Sequence, residues 1–590
     1  MNLKFPTLNS NFSPDRFTNL QATSMKCCLT VLLWCLGYTL VVAQDLNGLG
    51  RQKPVTLHGG INLRGMFYYA DGIANRRQPF TYLLTGSPTL SLYGISVLFS
   101  FIISEQERSF RQPFNQFGLS PTYKWLTLHG GYRNVSFSPF TLDGYTMLGA
   151  GFELRPGKWF VGMMYGRLNR AVVANQNLGD LQAVAFTRRG IAGKLGYGTD
   201  TTNIQFSFIK AKDNAASVDY QQVGQDTLGI VPVTPAENLV MSLGGRLGLF
   251  KYFYVEAEGA LSIYTKNSQT SITIDSSVAN IPSLLASLLT INASTESNKA
   301  LRAAFGYRQK RYGLGLQYRR IDPNFQSMGA YFFQNDLENV TINPMILFWQ
   351  GKIRFNGSLG IQRDNLSGQK QATARRVIGS VTASAAFTPQ LGIDLAYSNF
   401  ATSQMPVAVK FNDSLRVAQT TQNFSLTPHY FITGTARSHV FTLSVNYMTL
   451  TDVGLLSENR NAQSANAFFN YQLTFNASGL NVSAGVHYTR LQMAQLNSGN
   501  QGVTLAAGKN FLHKTLLLRL TSSVLQNIQG NAQTMLYTHG LSGTYRVGKH
   551  HSFNLNTHYI NNQGSAEAQA AGGYPTFTET RGDIGYNFTF

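Results

Sequence analysis

The stretch of sequence that decides the fold is YFYVEAEGALSI, residues 252–263. Apolar or small residues occupy its odd-numbered positions, from Phe253 to Ile263, whereas the even-numbered positions include Glu256 and Glu258. A period of two is typical of a β-strand with one apolar and one polar face. The same alternation recurs along the chain, in runs that begin at Val55, Tyr93, Ile353, Phe441 and Leu480.

The composition fits a chain made of such strands. Charged residues make up 13% of the 590 residues and aromatic residues 12%. The charged share is about half that of an ordinary soluble domain, and the mean hydropathy is −0.11. Only one long apolar run exists, which excludes a bundle of transmembrane helices. The many aromatic and β-branched residues exclude a disordered chain.

The one long apolar run, residues 27–43, predicts an export signal. It follows Lys26 and ends in Val-Val-Ala before Gln44, as a secretory signal peptide does. We therefore expect residues 1–43 to be a signal peptide, with Met25 as a candidate start; an uncleaved anchor helix is the alternative. All three cysteines lie inside this run, so the exported chain would have neither disulfides nor thiolate metal sites.

Residues 44–590 are predicted to form one domain, and two all-β architectures fit the alternation. In a soluble sandwich the apolar face of each strand packs on another sheet. In a membrane barrel the apolar face meets lipid and the polar face lines the lumen. The end of the chain favours the barrel, because its alternating residues resemble the final-strand signal that the outer-membrane assembly machinery reads: Ile584, Tyr586, Phe588 and Phe590.

The spacing of the connections also favours the barrel. Short connections such as 155–158 and 249–251 alternate with long polar ones such as 169–185 and 213–237. Short periplasmic turns and longer external loops are typical of outer-membrane barrels. We therefore predict an all-β chain in the bacterial outer membrane: a transmembrane, antiparallel, up-and-down β-barrel of about 24 strands, within a range of roughly 22–26.

Two stretches interrupt this rhythm. Residues 104–121 are long where a short turn is expected, and a second stretch with aromatic residues and proline follows at 135–142. Residues 281–289 have apolar side chains at helical spacing, which predicts a short amphipathic helix in an external loop. Both 104–121 and 281–289 are candidates for a lid or a lumen plug. Alternatively, the first extends a strand and the second packs within its own loop.

Parts of the chain resemble a large family of outer-membrane barrels of the Bacteroidota. The resemblance implies the barrel fold and the outer membrane, but neither a reaction nor site residues. Because barrel-like strands begin soon after the predicted cleavage site, we expect no plug domain of the kind that TonB-dependent receptors have. The resemblance rests on PFNQFGLSPTYKWLTLHGGYRNVSFSPFTLDG (113–144), FVGMMYGRLNRAV (160–172), AENLVMSLGGRLGLF (236–250) and IDPNFQSMGAYFFQNDLENVT (321–341).

No sequence motif predicts catalysis. The patterns G-x-S-x-G and H-E-x-x-H are both absent. Ser483 and His487 share one strand face, but such pairs arise by chance on a face rich in serine and threonine. His550 and His551 are adjacent at a predicted turn, where histidines are usually solvated. We therefore expect no enzyme activity, no cofactor and no bound metal.

Charge is the most informative chemical feature of the sequence. The formal net charge is +20 at pH 7, and the alternation places several basic residues on the polar face. A lumen lined by basic side chains has a positive potential that favours anions. We predict this lining role for Arg188, Lys194, Arg302, Arg308, Arg354, Arg519 and Arg546.

The charge also suggests partners. The short turns are basic, and they are either simply solvated or dock a periplasmic partner protein. The same excess of positive charge suits the phosphates of lipopolysaccharide and other outer-membrane lipids. Nucleic acid is not expected as a partner, because the basic residues are dispersed around a ring and the chain is predicted to be exported.

These features lead to two hypotheses about function. The first is a passive channel for small solutes that favours anions and is narrowed by residues 105–121. The second is a non-conducting barrel with a closed lumen, which would dock periplasmic or surface proteins through the same segment and the basic turns.

Overall fold

A computed structural model describes most of the chain beyond the predicted signal peptide, and residues 1–43 lie outside the described part. The described residues are 54–105, 115–172, 185–218, 233–275, 277, 281–330, 335–369, 375–404, 417–452, 461–494, 496–530, 532–565 and 575–590.

The chain divides into two compact units. Of the described residues, the smaller unit comprises 54–56 and Ser91–Ile95, and the larger comprises those within Leu57–Leu90 and Ser96–Phe590. In the smaller unit the backbone N–H of Tyr93 donates to the carbonyl of Pro54 at 3.3 Å. The larger unit contains the barrel.

Strands dominate the secondary structure, as the alternation predicts. The first half of the described chain holds β1 (Val55–His58), β2 (Gly60–Asp71), β3 (Phe80–Gly86), β4 (Thr89–Leu92), β5 (Ile95–Ser104), β6 (Gln116–Tyr123), β7 (Leu126–Asn134), β8 (Thr146–Leu154), β9 (Trp159–Asn169), β10 (Thr187–Gly198), β11 (Asn203–Asn214), β12 (Glu237–Leu249), β13 (Phe253–Thr265) and β14 (Thr295–Arg308). The second half holds β15 (Tyr312–Ile321), β16 (Leu337–Phe348), β17 (Ile353–Arg363), β18 (Arg375–Ala386), β19 (Leu391–Gln404), β20 (Val417–Thr433), β21 (Arg437–Asp452), β22 (Ala462–Phe475), β23 (Leu480–Met493), β24 (Leu496–Phe511), β25 (Leu516–Gln529), β26 (Ala532–Val547), β27 (His551–Gly564) and β28 (Phe577–Thr589).

These strands form one closed antiparallel barrel. Among the described residues, every strand except β1 and β4 belongs to a ring of 26 strands. Consecutive strands of the ring pair with each other, β3 pairs with β5, and the last strand β28 returns to β2 with Tyr586 opposite Leu63. The prediction of an antiparallel, up-and-down β-barrel within the range of 22–26 strands is confirmed.

The two faces of each strand meet different surroundings. Large apolar side chains cover the outward face, where Leu243, Ile361 and Leu520 are 57%, 64% and 58% exposed. Polar side chains such as Ser242 lie on the opposite, inward face, as expected of alternating strands in a barrel. The outer surface of the barrel is therefore an apolar band.

The two ends of the barrel differ in their connections. At one end, called here the short-connection end, turns such as 155–158 and 548–550 join neighbouring strands. Gly157 and Gly548 both have φ of 64° in these turns, a left-handed conformation that glycine adopts without strain. At the opposite, long-connection end, β9 and β10 are joined by about 17 residues, as the sequence predicted.

Helical structure in the described residues is short. The 3-10 helices are Ala215–Ser217, Trp349–Gly351 and Leu512–Lys514, and α1 is Ser283–Ala286. None of the described helices is long and apolar enough to cross a membrane.

Helix α1 differs from its prediction in length and in position. The spacing predicted a helix over 281–289, but α1 has four residues, because Pro282 stands at its N-cap and Ser287 ends it. Ile281 and Leu285 pack on the outward-facing Leu239 and Ile263. The segment therefore covers the outside of the barrel wall, and the suggestion that it plugs the lumen is wrong.

Candidate functional site

Two connections from the long-connection end fold into the lumen. We call them the inward segments: residues 135–145, between β7 and β8, and residues 322–330, after β15. Their apolar side chains bury the inward face of neighbouring strands in one cluster. Where they pack, the inward face of the barrel is covered by an apolar cluster and is no longer a simple polar wall.

The two inward segments pack on each other through aromatic rings. Phe140 and Phe325 are 1% and 0% exposed, and their rings meet edge to face with centroids 6.1 Å apart. Leu142 completes this contact, and Ile209 and Val240 form the wall against which it rests. Such burial makes the segments part of the packed structure of the barrel.

Hydrogen bonds fix the segments to each other. The Ser327 hydroxyl donates to the Thr141 carbonyl at 2.8 Å, and the Asp143 N–H donates to the Gly329 carbonyl at 3.0 Å. Asp143 and Gly144 also form backbone bridges with Ala330. The two segments therefore behave as one small folded element.

Side chains of the barrel wall hold this element in place. Asn238 accepts a hydrogen bond from the Met328 N–H at 3.0 Å, and the Ser262 hydroxyl donates to the Gln326 carbonyl at 2.6 Å. On the first segment, the Gln205 amide donates to the Phe137 carbonyl at 2.6 Å. The wall strands that make these contacts are β11, β12 and β13.

The first inward segment runs through much of the depth of the lumen. At the long-connection end, Tyr145 donates to Asn169, which lies level with Asp213 across β10. Near the short-connection end, Phe137 is bonded to Gln205. Eight residues separate Asp213 from Gln205 along β11, or about 26 Å at about 3.3 Å per residue.

The constriction therefore differs from the one that the sequence suggested. The predicted narrowing segment was 105–121, but residues 116–121 belong to β6 and form part of the wall. Residues 106–114 lie outside the described part of the chain. In the described part of the chain, the inward segments that narrow the lumen are 135–145, noticed in the sequence only for its aromatic residues and proline, and 322–330; narrowing by 106–114 stays a prediction.

Acidic side chains accompany several basic side chains on the inward face. Lys194 forms an ion pair with Glu153 at 2.7 Å and lies over the Phe137 ring, 4.9 Å from its centroid. His129 contacts the same carboxylate at 3.3 Å and the Ser120 hydroxyl at 2.8 Å. Glu153 thus neutralises Lys194 beside the first inward segment.

A second charge cluster lies under the tip of the first inward segment. Arg302 contacts Glu256 at 2.7 Å and Glu258 at 3.6 Å, and Ser138 of the segment donates to Glu258. Together with Arg246 they border a polar cavity of about 350 Å³. Sequence reasoning named Arg302 but missed both carboxylates, which the strand register alone brings next to it.

Arg188 is also neutralised in the folded protein. Its guanidinium donates to both carboxylate oxygens of Asp213, at 2.8 and 3.0 Å. Further inward arginines were not identified from the sequence, among them Arg319, which lies directly opposite Arg302, and Arg64, which pairs with Asp583 at 2.9 Å. The inward face therefore mixes paired and unpaired charges.

The remaining four predicted lining residues all lie at the short-connection end, on different strands around the ring. Arg308 ends β14, Arg354 lies near the start of β17, and Arg519 and Arg546 lie near the corresponding ends of β25 and β26. The register places each on the inward face, Arg519 opposite Ser542 and Arg546 opposite Ser552. None of the four forms an ion pair with a described residue. One acidic side chain, Asp394, also faces inward at the short-connection end.

The histidines of the two pairs noticed in the sequence form hydrogen bonds with other residues of the barrel wall. Ser483 and His487 are four residues apart on extended β23, about 13 Å, and His487 instead bonds to Thr504 at 2.9 Å. His551 bonds to the Tyr586 hydroxyl at 2.8 Å. No group of residues able to hold a metal ion occurs among the described residues.

The Ser120–His129–Glu153 arrangement has the residue types of a hydrolase triad, and sequence reasoning missed it. Ser120 is buried between β5 and β7, so its hydroxyl is not presented to a substrate. Since Glu153 is also paired with Lys194, this network ties β6, β7, β8 and β10 together.

The terminal residues that resemble an assembly signal lie in or beside the closing strand. Ile584, Tyr586 and Phe588 project outward from β28, beside the outward-facing partners of β2. The Phe590 N–H donates to the Gly59 carbonyl at 2.9 Å. Recognition of these residues by an assembly machinery stays a prediction.

Comparison with known proteins yields neither a family nor a close relative. No family model matches the chain, and no curated protein matches it. Among solved structures, the chain is similar to the P pilus usher (PapC) translocation pore, at 10% identity and a TM-score of 0.36, over 90% of this chain and 99% of that one.

Two further structures show comparable similarity. The FrpB iron transporter from Neisseria meningitidis is 11% identical with a TM-score of 0.36, over 93% of this chain and 83% of that one. An anion-selective porin from Comamonas acidovorans is 11% identical with a TM-score of 0.27, over 51% of this chain and 94% of that one. At these TM-scores the matches carry no conclusion about this chain.

Proposed function

We propose that the chain is an outer-membrane β-barrel channel for the passive passage of small solutes, with a preference for anions. The observation that carries the proposal is the closed barrel with an apolar outer band and a polar inward face. Passage along such a lumen needs no chemistry from the protein, because the solute keeps its hydration.

The outer band supports the membrane part of the proposal. Soluble monomers rarely expose contiguous apolar patches larger than a few hundred Å². Here exposed Leu, Ile, Val and aromatic side chains recur on the outward faces of strands around the ring, from Leu63 to Ile584. A lipid bilayer is the surrounding in which that surface is stable.

The inward segments support a passage that is narrow enough to limit the size of the solute. Their hydrogen bonds with the wall fall on β9–β14, so they occupy one side of the lumen. The inward arginines of β17, β25 and β26 lie on strands beyond these contacts. A solute would pass between the inward segments and that part of the wall.

The distribution of charge supports a preference for anions that arises at the short-connection mouth. Arg188, Lys194 and Arg302 are paired with carboxylates, which largely cancels their potential. Arg308, Arg354, Arg519 and Arg546 have no ion-pair partner among the described residues, and Asp394 offsets only part of their charge at the short-connection mouth, where a positive potential concentrates anions. The preference would therefore arise at the mouth and not at the constriction.

Conductance in a planar bilayer tests this proposal. Under a salt gradient, stable conductance steps with an anion-selective reversal potential are expected, and R354Q/R519Q/R546Q should move the reversal potential towards zero. The matched control K299Q/R375Q/K509Q removes three exposed charges from the outward face and should leave selectivity unchanged.

One result would refute the proposed origin of the anion preference, and another would refute the channel itself. An equal change of selectivity in both variants would exclude a role for the mouth arginines. No conductance from a correctly folded, heat-modifiable barrel would mean a closed lumen. In that case a docking role through 105–121 and the basic turns would be tested by co-purification of a stoichiometric partner that is lost when 105–121 is deleted.

A further inference from the structure

A group of basic side chains lies on the outward face at the long-connection end of β9, β10 and β11. We call Arg167, Arg189, Lys210 and Lys212 the outer basic cluster. The register shows their shared face: Arg167 lies opposite Arg189, and Arg189 lies opposite Lys212. Lys210 is one outward position further along β11.

This juxtaposition is unusual because like charges face each other directly. Side chains opposite each other on antiparallel strands have Cβ atoms about 4.5–5.5 Å apart, and like charges there are destabilising. Three adjacent strands nevertheless present Arg167, Arg189 and Lys212 abreast. A bound anion between them would relieve the repulsion.

The protein neutralises only part of this charge. Glu237 of β12 lies 3.3 Å from Lys212 and 3.7 Å from Lys210, and Arg167 donates to the neutral Tyr132 hydroxyl at 3.2 Å. Arg189 is exposed and has no ion-pair partner among the described residues. Among the described residues, four cations and one carboxylate give the cluster a formal charge of +3.

The loop that carries α1 makes one side of the cluster rigid. Glu237 is only 3% exposed at its side chain, because the loop covers it and the Thr290 N–H donates to its carboxylate at 3.2 Å. Thr265 donates to the Thr290 carbonyl at 2.9 Å. The cluster is therefore bounded by a fixed carboxylate and a packed loop.

The cluster lies at the border of the apolar band. On the same strands, the next outward residues towards the short-connection end are Tyr165, Ile191 and Phe208. In a membrane-embedded barrel that border coincides with the headgroups of the leaflet at the long-connection end, which are external for an outer-membrane barrel.

We propose that the outer basic cluster binds the phosphate of a phosphorylated lipid in the outer leaflet, an inference that rests on the membrane placement in the proposed function. Arg189, with its unpaired guanidinium, would donate to the phosphate oxygens as arginine commonly does. Arg167 and Lys212 would flank it, and the acyl chains would lie along the apolar band.

Binding of diphosphorylated lipid A to the full-length, detergent-purified barrel tests the proposal, with native mass spectrometry as the readout. Dephosphorylated lipid A serves as the matched ligand with the same acyl chains. Each basic side chain near a membrane surface contributes about fivefold to such binding. R167Q/R189Q/K212Q should therefore weaken binding by between about 10- and 100-fold, and R189Q alone by about fivefold.

The control K158Q/K251Q/K352Q removes three charges from turns at the opposite end and should retain full binding. Equal binding by R189Q and the parent, an equal loss in the control, or equal binding of dephosphorylated lipid would each overturn the proposal. Complete competition by millimolar inorganic phosphate would identify a free-anion site and would also overturn it. Conductance should be unchanged in R189Q, so a failure of the channel and a failure of the lipid site give different results.

Discussion

Replacing Phe140 by alanine should release the inward segments from the barrel wall. Phe140 is 1% exposed and packs edge to face on Phe325. Truncation of a buried phenylalanine to alanine costs about 3–5 kcal/mol, and this contact lies between the two segments. The barrel ladder is untouched, so the cost falls on docking of the segments. At 1.4 kcal/mol for each factor of ten, the undocked fraction should rise by about 100-fold to several thousand-fold.

Accessibility of a cysteine at position 141 measures that fraction. Thr141 is fully buried, and its hydroxyl has no hydrogen-bond partner among the described residues, so T141C removes no bond. With Cys27, Cys28 and Cys35 replaced by serine, the new thiol is the only one in the chain. Its reaction with a small maleimide follows local opening and should accelerate in F140A, and single-channel conductance should rise in parallel.

The matched control is F250A, at a turn residue that is 96% exposed. It should change neither the labelling rate nor the conductance. If the thiol at 141 reacts equally fast in F140A and in the parent, the inward segments are not held by this packing, and the account of the constriction given above is refuted.

Three further predictions concern stability. T141V should raise the midpoint of heat-modifiability, because it removes a buried hydroxyl without a partner, worth about 1 kcal/mol; a lowered midpoint would contradict this. K194M should destabilise by about 3 kcal/mol, since it strips Glu153 of its closest charge partner, and K194M/E153Q should recover most of the loss in a double-mutant cycle. L285A should loosen the α1 loop from Leu239 and Ile263 by about 2 kcal/mol, seen as faster proteolysis within 266–294 while the barrel itself resists.

The barrel could be predicted from the sequence because the alternation of apolar and polar residues in each strand reflects the surroundings of its two faces. Alternation in YFYVEAEGALSI already separates the outward-facing Val255 and Leu261 from the inward Glu256 and Glu258. That property is local and needs no knowledge of the neighbouring strands. The strand number was predicted only as a range, since short runs such as Thr89–Leu92 do not show whether they join the ring.

The constriction and the charge pairs could not be predicted in the same way. Thr141 and Ser327 are bonded although 186 residues separate them, and no local pattern records such a contact. Arg302 was assigned to the correct, inward face of its strand. Only the register of β13 and β14 shows that Glu256 and Glu258 neutralise it. The available signal was weak: VSFSPFTL places apolar residues where a polar loop is expected.

The position of the inward segments has a consequence for the order of assembly. Their hydrogen bonds to the wall fall on strands between β9 and β14, whereas the seam that closes the ring joins β2 to β28. Contacts between near neighbours in the chain form sooner than those that close long loops. The inward segments can therefore dock on their wall strands while the sheet is still open. When β2 then pairs with β28, the closed barrel already contains them. During refolding, protection of a cysteine at 141 should precede the heat-modifiable form.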